Sequence, residues 1–230
     1  MMNPKPPMHY FVTGTDTEIG KTLVSCAILH ALAQMDLRCI GMKPVAAGAE
    51  SVDGVLCNED VTALIAASNV RAEMNLINPY LFKLPAAPHI AAQQEQRHIE
   101  LEPILQSYRQ LSRLAQAVVV EGVGGFRVPL NDKEDSADLA RQLNLPVILV
   151  VGMRLGCISA ALLTAEAIRA RGLTLAGWVA NSAQTEMAQL QGNLSALQDR
   201  LDAPFLGYIP HMTQPDPGQA AGHLTLTTLF

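Results

Sequence analysis

The sequence predicts an α/β fold of three layers, with a mostly parallel central sheet between two layers of helices, and three observations carry that expectation. Short apolar runs alternate with stretches of helical periodicity along the 230 residues. The run Pro146-Val147-Ile148-Leu149-Val150-Val151 holds no polar side chain, as a strand buried on both faces of a parallel sheet requires. The composition, 49% hydrophobic but only 4% aromatic, is rich in the Ala, Leu and Val that helices packed on a buried sheet use. Strands separated by helices imply right-handed crossovers and a sheet covered on both faces. Ligands in such sheets sit beyond the carboxyl ends of the strands, so the loops that follow strands are the ones to read for chemistry.

In chain order, Tyr10-Phe11-Val12 is the first strand and enters a glycine-containing loop. Val24, Ile28, Leu32 and Met35 then recur at helical spacing in a segment that ends before Leu37. Residues 38–42 read as a second strand, closed by Pro44 and Gly48. Leu101, Ile104, Leu105, Tyr108 and Leu111 mark one face of a later helix, and Ala117-Val118-Val119-Val120-Glu121 is a strand that runs straight into Gly122-Val123-Gly124-Gly125. After the apolar strand at 146–151 come a helix over 162–171, a strand over 175–180, a helix over 186–201 and a last strand over 205–210. Residues 49–100, interrupted by Pro79, Pro85 and Pro88, fit this rhythm least and read as an elaboration of the same unit. The length favours a single domain over 1–230, with the Pro-rich residues 1–8 as a flexible tail.

The net charge of −5 comes without any Lys/Arg run, which argues against binding to nucleic acid or an anionic membrane. The N-terminus lacks the apolar stretch of a signal peptide, and the longest apolar run is far below the roughly 20 residues of a membrane span. A cytoplasmic location is expected. Cys26, Cys39, Cys57 and Cys157 form no Cys-x-x-Cys pair, and the six histidines show no paired spacing. Reduced thiols and no transition-metal site follow from that.

The chemistry concentrates at Gly14-Thr15-Asp16-Thr17-Glu18-Ile19-Gly20-Lys21-Thr22. A bare Gly-Lys-Thr also fits a turn with a solvated lysine. Placed after a strand and before a helix, it sets backbone N–H groups and the positive helix end around an anion. Lys21 then bridges terminal phosphates and the Thr22 hydroxyl meets Mg²⁺. The standard phosphate loop has four residues between its first glycine and the Gly-Lys-Thr; here there are five, and Thr15 stands where that glycine belongs. Partition-type and septum-site ATPases use a modified loop with a signature lysine five residues before the Lys of Gly-Lys-Thr. That position is Asp16, an acid that cannot stabilise phosphate charge across a dimer.

The stretch from Val12 to Thr22 is joined by Gly41-Met42-Lys43-Pro44-Val45, Val120-Glu121-Gly122-Val123-Gly124-Gly125, Leu155-Gly156-Cys157-Ile158 and Gly177-Trp178-Val179-Ala180-Asn181. This ordered set, covering nearly the whole chain, closely resembles the dethiobiotin synthetase family. The resemblance implies a P-loop-type fold and a Mg²⁺-dependent homodimer that turns 7,8-diaminopelargonate, CO₂ and ATP into dethiobiotin, ADP and phosphate.

By the same resemblance, Glu18, Ile19, Gly20, Lys21, Thr22 and Leu23 cradle the phosphates, and Thr17 joins Lys21 and Lys43 among the catalytic residues. Thr22, Asp60 and Glu121 match the metal ligands, and Lys43 and Lys21 act at the reacting phosphate and carbamate. Gly122, Val123 and Gly124 continue the nucleotide site, while Asn181, Ser182, Pro210, His211 and Met212 match its adenine side. Ala47 lies on the substrate side, and Gly156, Cys157 and Ile158 match a segment that receives the substrate carboxylate from the partner subunit. Read without the family, Asp60 is also an ordinary helix N-terminal acid and Cys157 an ordinary core thiol. Glu121, at the end of a valine-rich strand, is costly there unless paired. The chain departs from the family pattern at Ala47, where a Ser is common, at Arg154, where a Lys is frequent, and at Ser159-Ala160, where Asn-His is frequent.

Overall fold

The computed structural model describes residues 8–184 and 187–229. In chain order the strands are β1 (Met8–Gly14), β2 (Cys39–Met42), β3 (Val45–Ala46), β4 (Glu50–Val52), β5 (Val55–Cys57), β6 (Tyr80–Leu81), β7 (Ala117–Glu121), β8 (Val147–Gly152), β9 (Leu175–Asn181) and β10 (Phe205–Ile209). The helices are α1 (Lys21–Ala33), α2 (Glu59–Ala67), α3 (Met74–Ile77), α4 (Pro88–Gln94), α5 (Leu101–Leu114), α6 (Ser136–Leu143), α7 (Cys157–Ala170), α8 (Leu190–Arg200) and α9 (Pro217–Ala221).

Six strands form one sheet in the order β10-β9-β8-β1-β7-β2, and every pairing in it is parallel. Alternate side chains along each strand feed opposite cores, which follows from the two-residue repeat of the pleat. Val147, Leu149 and Val151 of β8 face one core, and Ile148 and Val150 face the other. β7 divides in the same way, with Val118 and Val120 on one side and Ala117 and Val119 on the other. The first core is closed by Ile104 and Leu111 of α5, Leu139 of α6, Ala161 and Ala165 of α7 and Leu197 of α8. The second is closed by Val24, Ile28, Leu29 and Leu32 of α1, Leu64 of α2 and Ala220 of α9. Doubly apolar strands are why the sheet is legible as runs of Val and Ile.

β1 lies between β7 and β8. The chain runs outward from β1 to β2 in one direction and to β8, β9 and β10 in the other, so the direction of winding reverses beside β1. The loops leaving β1, β7 and β8 therefore open on one crevice, where ligands of such sheets bind.

The expected boundaries need four corrections. Met8 is buried and pairs with Ala117 at the start of β1, so it is no part of a tail; residues 1–7 lie outside the described residues. α7 begins at Cys157, five residues before the expected start at 162, because Gly156 turns into it with φ +92° and no side-chain cap marks the entry. The helix expected over 186–201 spans Leu190–Arg200, and its expected first residue lies outside the described residues. α6 was not anticipated, although Asp135 caps it and Asp138 returns the bond to the Asp135 N–H in a reciprocal box.

All four cysteines are free, with Cys26, Cys39 and Cys157 buried and Cys57 half-buried. Burial, with the Glu121 and Asp60 charges nearby, pushes the Cys26 thiol up to about 12, and burial pushes Cys39 up to about 11. Thiolate is the reacting form. In native protein at pH 8, iodoacetamide is expected to label Cys57 well ahead of Cys26 and Cys39, read by peptide mass spectrometry.

Candidate nucleotide and metal site

The loop from β1 to α1 accommodates its fifth residue by turning one side chain inward. Ile19 is 3% exposed and fits between the ends of β1 and β8: a Cβ on Gly14 would lie 2.6 Å from Ile19 Cδ1, and one on Gly152 would lie 2.5 Å from Ile19 Cγ2. Glu18 takes φ +56° to make this turn, and Gly20 follows at φ +83°. Asn181, at the end of β9, donates from Nδ2 to the Ile19 carbonyl at 2.7 Å, and a Cβ on Gly20 would sit 2.1 Å from that nitrogen. Gly20 is thus required twice, by its left-handed backbone and by the approach of Asn181. The loop is further tied to β8 by Thr15 N–H to the Val150 carbonyl at 3.0 Å.

Beyond the loop the N-terminus of α1 presents Lys21 and Thr22. Lys21 is 7% exposed and donates from Nζ to the Asp16 carbonyl at 2.7 Å. Burial and the neighbouring Lys43 ammonium lower its pKa to about 8, against the opposing pull of Glu121, Asp60 and Asp16. Asp16, at the position a switch ATPase would give to its signature lysine, is ion-paired with Arg154.

Four elements meet at a group of charges. β7 ends in Glu121, which is fully buried. β2 lies beside β7 and delivers Lys43 one residue past its end. α2 starts on the Asn58 cap, whose side chain accepts from Val61 N–H, and this first turn carries Asp60. Lys43 Nζ lies 2.5 Å from Glu121 Oε1 and 2.6 Å from Asp60 Oδ2. Thr22 Oγ1 lies 2.6 Å from Asp60 Oδ1 and 2.9 Å from Glu121 Oε1. Burial alone would lower the pKa of Lys43, but the two carboxylates outweigh it and raise its pKa. Burial would likewise raise Asp60, but Lys43 and Thr22 outweigh it and hold the carboxyl below the usual aspartate range.

The donor set here consists of hard oxygens. Glu121 Oε2 is buried and has no hydrogen-bond partner, an acceptor facing no donor of the protein. Two carboxylates and a hydroxyl beside an open anion cradle fit Mg²⁺, which takes oxygen ligands, keeps several waters and shares the rest of its shell with phosphate. Thr22, Asp60 and Glu121 bring no imidazole or thiolate, the ligands that select the softer transition metals.

These residues line a cavity of about 780 Å³. Of the expected site residues it brings together Thr17, Glu18, Gly20, Lys21, Thr22, Lys43, Ala47, Asp60, Glu121, Val123 and Gly124, and Pro85, Ala86, Ala87 and Pro88 also line it. Ile19 is buried behind the loop, Leu23 packs toward the core, and Gly122 is buried with its N–H on the Val12 carbonyl at 2.9 Å. Asn181 borders a smaller concavity with Ile19 and Arg154, and its Oδ1 is buried and unpaired. Ser182 is buried and bonded to Tyr208 at 3.1 Å. Pro210, His211 and Met212 line neither hollow. Gly156 and Cys157 border a third concavity with Asp16 and Arg154, and Ile158 packs on the core, so within one chain these three stand apart from the main cavity. Sequence reasoning missed Asn58, whose cap position before Glu59-Asp60 was a visible signal, and Asn78, which carries no local signal.

A parallel sheet with a glycine loop running into a helix at its switch point, and a Lys-Thr pair at the mouth, defines the P-loop class of nucleotide-binding α/β proteins. The family model described as an AAA domain matches residues 8–219. The ATP-dependent dethiobiotin synthetase BioD of Aromatoleum aromaticum (strain DSM 19018 / LMG 30748 / EbN1) is 56% identical over 220 residues, which is 96% of this chain and 98% of that protein. The chain belongs to the ATP-dependent dethiobiotin synthetase family. Among solved structures, the MinD cell division protein of Aquifex aeolicus superposes with a TM-score of 0.55 at 13% identity, covering 93% of both chains. The chloroplast FtsY of Physcomitrella patens gives 0.51 at 14% identity, covering all of this chain and 67% of its own. At such identities these two share the fold alone.

Lys43→Met removes the ammonium and leaves the buried Glu121 charge without its partner. In metal-free buffer a loss of about 3–5 kcal/mol is expected, measured as a shift of the urea midpoint. Adding Glu121→Gln to that variant is expected to restore most of the loss.

Proposed function

We propose that this chain is an ATP- and Mg²⁺-dependent cyclo-ligase that forms the ureido ring of dethiobiotin from 7,8-diaminopelargonate and CO₂. The single observation that carries the reading is the 56% identity to a dethiobiotin synthetase over nearly the whole of both chains. The charged group at the cavity supports it. In the reaction one amine of the diamine adds to CO₂ and loses a proton to give a carbamate. A carbamate oxygen attacks the γ-phosphorus, ADP leaves, and a carbamic–phosphoric anhydride results. The second amine attacks the carbamoyl carbon, phosphate departs, and the ring closes. Negative charge moves between oxygens at each step, so fixed positive groups and loop N–H donors are the appropriate catalysts.

In this reading the residues 18–23 and Thr17 hold the β- and γ-phosphates, with Lys21 leaving the Asp16 carbonyl to meet them. Lys43 neutralises charge on the carbamate and the transferred phosphoryl group. Thr22, Asp60 and Glu121 would hold the Mg²⁺, which when bound offsets phosphate charge. Gly122, Val123 and Gly124 continue the nucleotide wall. Asn181, with its unpaired Oδ1, lies on the adenine side together with Ser182 and the segment Pro210, His211 and Met212. Ala47 faces the diamine. The separation of Gly156, Cys157 and Ile158 from the main cavity is consistent with a homodimer in which they serve the partner's site. We further propose that residues 1–230 act as a single cytoplasmic domain; among the described residues no helix is long and apolar enough to cross a membrane.

Purified protein incubated with ATP, Mg²⁺, 7,8-diaminopelargonate and labelled bicarbonate is expected to yield labelled dethiobiotin with one ADP per ring. ATP turnover without labelled product at saturating diamine contradicts the assigned substrate. Lys43→Gln is expected to lower kcat by about 10²- to 10³-fold, and Asp60→Asn to raise the Mg²⁺ concentration required for half-maximal rate.

A further inference from the structure

Lys43 stands at a point where the central sheet no longer holds the chain. β2 ends at Met42, and the next residue after Lys43 is Pro44, which has no N–H and keeps Lys43 extended. The ammonium sits at the end of a four-carbon stem, so its aim depends on how firmly the Lys43 peptide group is fixed. Holding that group is the work of residues 77–80, well outside the phosphate loop. Lys43 N–H donates to the Ile77 carbonyl at 2.9 Å, and Asn78 Nδ2 donates to the Lys43 carbonyl at 2.6 Å. The same Nδ2 reaches the Tyr80 carbonyl at 3.2 Å, while Tyr80 N–H donates to the Pro44 carbonyl at 3.1 Å. Asn78 is 5% exposed.

The side-chain orientation is fixed by chemistry. Both groups that face Nδ2 are carbonyl oxygens, so a flipped amide would set oxygen against oxygen. The remaining Oδ1 is buried without a partner, and that cost is tolerated for the two donor bonds on the other side. Such an arrangement spends a buried polar group on one task, joining the end of β2 to the start of β6.

We propose that Asn78 is a positioning residue for Lys43, acting through the Lys43 carbonyl. It touches no substrate and rests on the reading of Lys43 as the group that meets the carbamate and phosphate. The irregular 49–100 segment then supplies the fixed backbone on which the reactive ammonium is aimed.

The test compares wild type with Asn78→Ala. In the presence of saturating Mg²⁺, ATP and diamine, kcat normalised to folded protein is expected to fall about 10- to 100-fold, as a misplaced catalytic group does. KM for ATP is expected to stay within about threefold, because the phosphate loop is untouched. Hydrogen exchange read by mass spectrometry is expected to quicken in peptides covering residues 43–47 and to stay unchanged in α1. Wild-type kcat in folded Asn78→Ala, or unchanged exchange at 43–47, overturns the proposal. If wild type itself forms no dethiobiotin, the functional reading fails, and the exchange measurement alone decides whether Asn78 holds Lys43. Should the Ala variant not fold, Asn78→Ser, whose hydroxyl can donate one bond, is expected to give an intermediate kcat, and full activity there also overturns the proposal.

Discussion

The arrangement depends on one buried charge. Glu121 ends the strand next to β1, fully withdrawn from water, and a carboxylate in that position costs several kcal/mol unless another charge meets it. Lys43 meets it from just past the end of β2 and the Thr22 hydroxyl from α1, while Asp60 of α2 takes the other side of the Lys43 ammonium. Each of these side chains is placed because its element is fixed elsewhere: β2 by pairing with β7, α2 by its Asn58 cap, and α1 by its packing on the second core. The site is therefore a consequence of the sheet order, and a change in that order would leave Glu121 unpaired.

The phosphate loop solves a related problem of fit. Its additional residue is absorbed by Ile19, which plugs the space between the ends of β1 and β8, at the expense of a left-handed Glu18. Asn181 then holds the Ile19 carbonyl from β9, so the loop is braced from the side opposite the charged group. MinD shares the layers and the sheet, with a TM-score of 0.55. In this chain Asp16 is paired with Arg154 at the position where a switch ATPase would place its signature lysine, and a shared fold does not by itself carry a shared use.

The central sheet was legible because its inner strands are largely buried on both faces and carry apolar runs, from Tyr10-Phe11-Val12 in β1 to the whole of 147–151 in β8. The glycine loop was legible because its chemistry is local. α7 was read short because a left-handed Gly156 begins it without a cap. The 49–100 segment was opaque for a different reason. Its short pieces are held by side chains bonding to distant backbone: Asn58 to Ala47, Asn78 to Lys43, Arg97 to Leu81, and Glu95 to the N–H groups of Lys83 and Leu84. No periodicity encodes contacts of that kind. The same limit hid Asn78, while Lys43 and Glu121 stood out because a charge at the end of an apolar strand demands an explanation.

The central claim is that the buried Glu121 carboxylate organises both the resting charge group and the metal-assisted binding of nucleotide. Calorimetric titration of ATP into wild type and Glu121→Gln, each with and without Mg²⁺, tests it most directly. Mg²⁺ is expected to tighten ATP binding in wild type by at least about tenfold and to have little effect in Glu121→Gln, a change that each tenfold equates to about 1.4 kcal/mol. An equal Mg²⁺ effect in the two proteins would contradict the account.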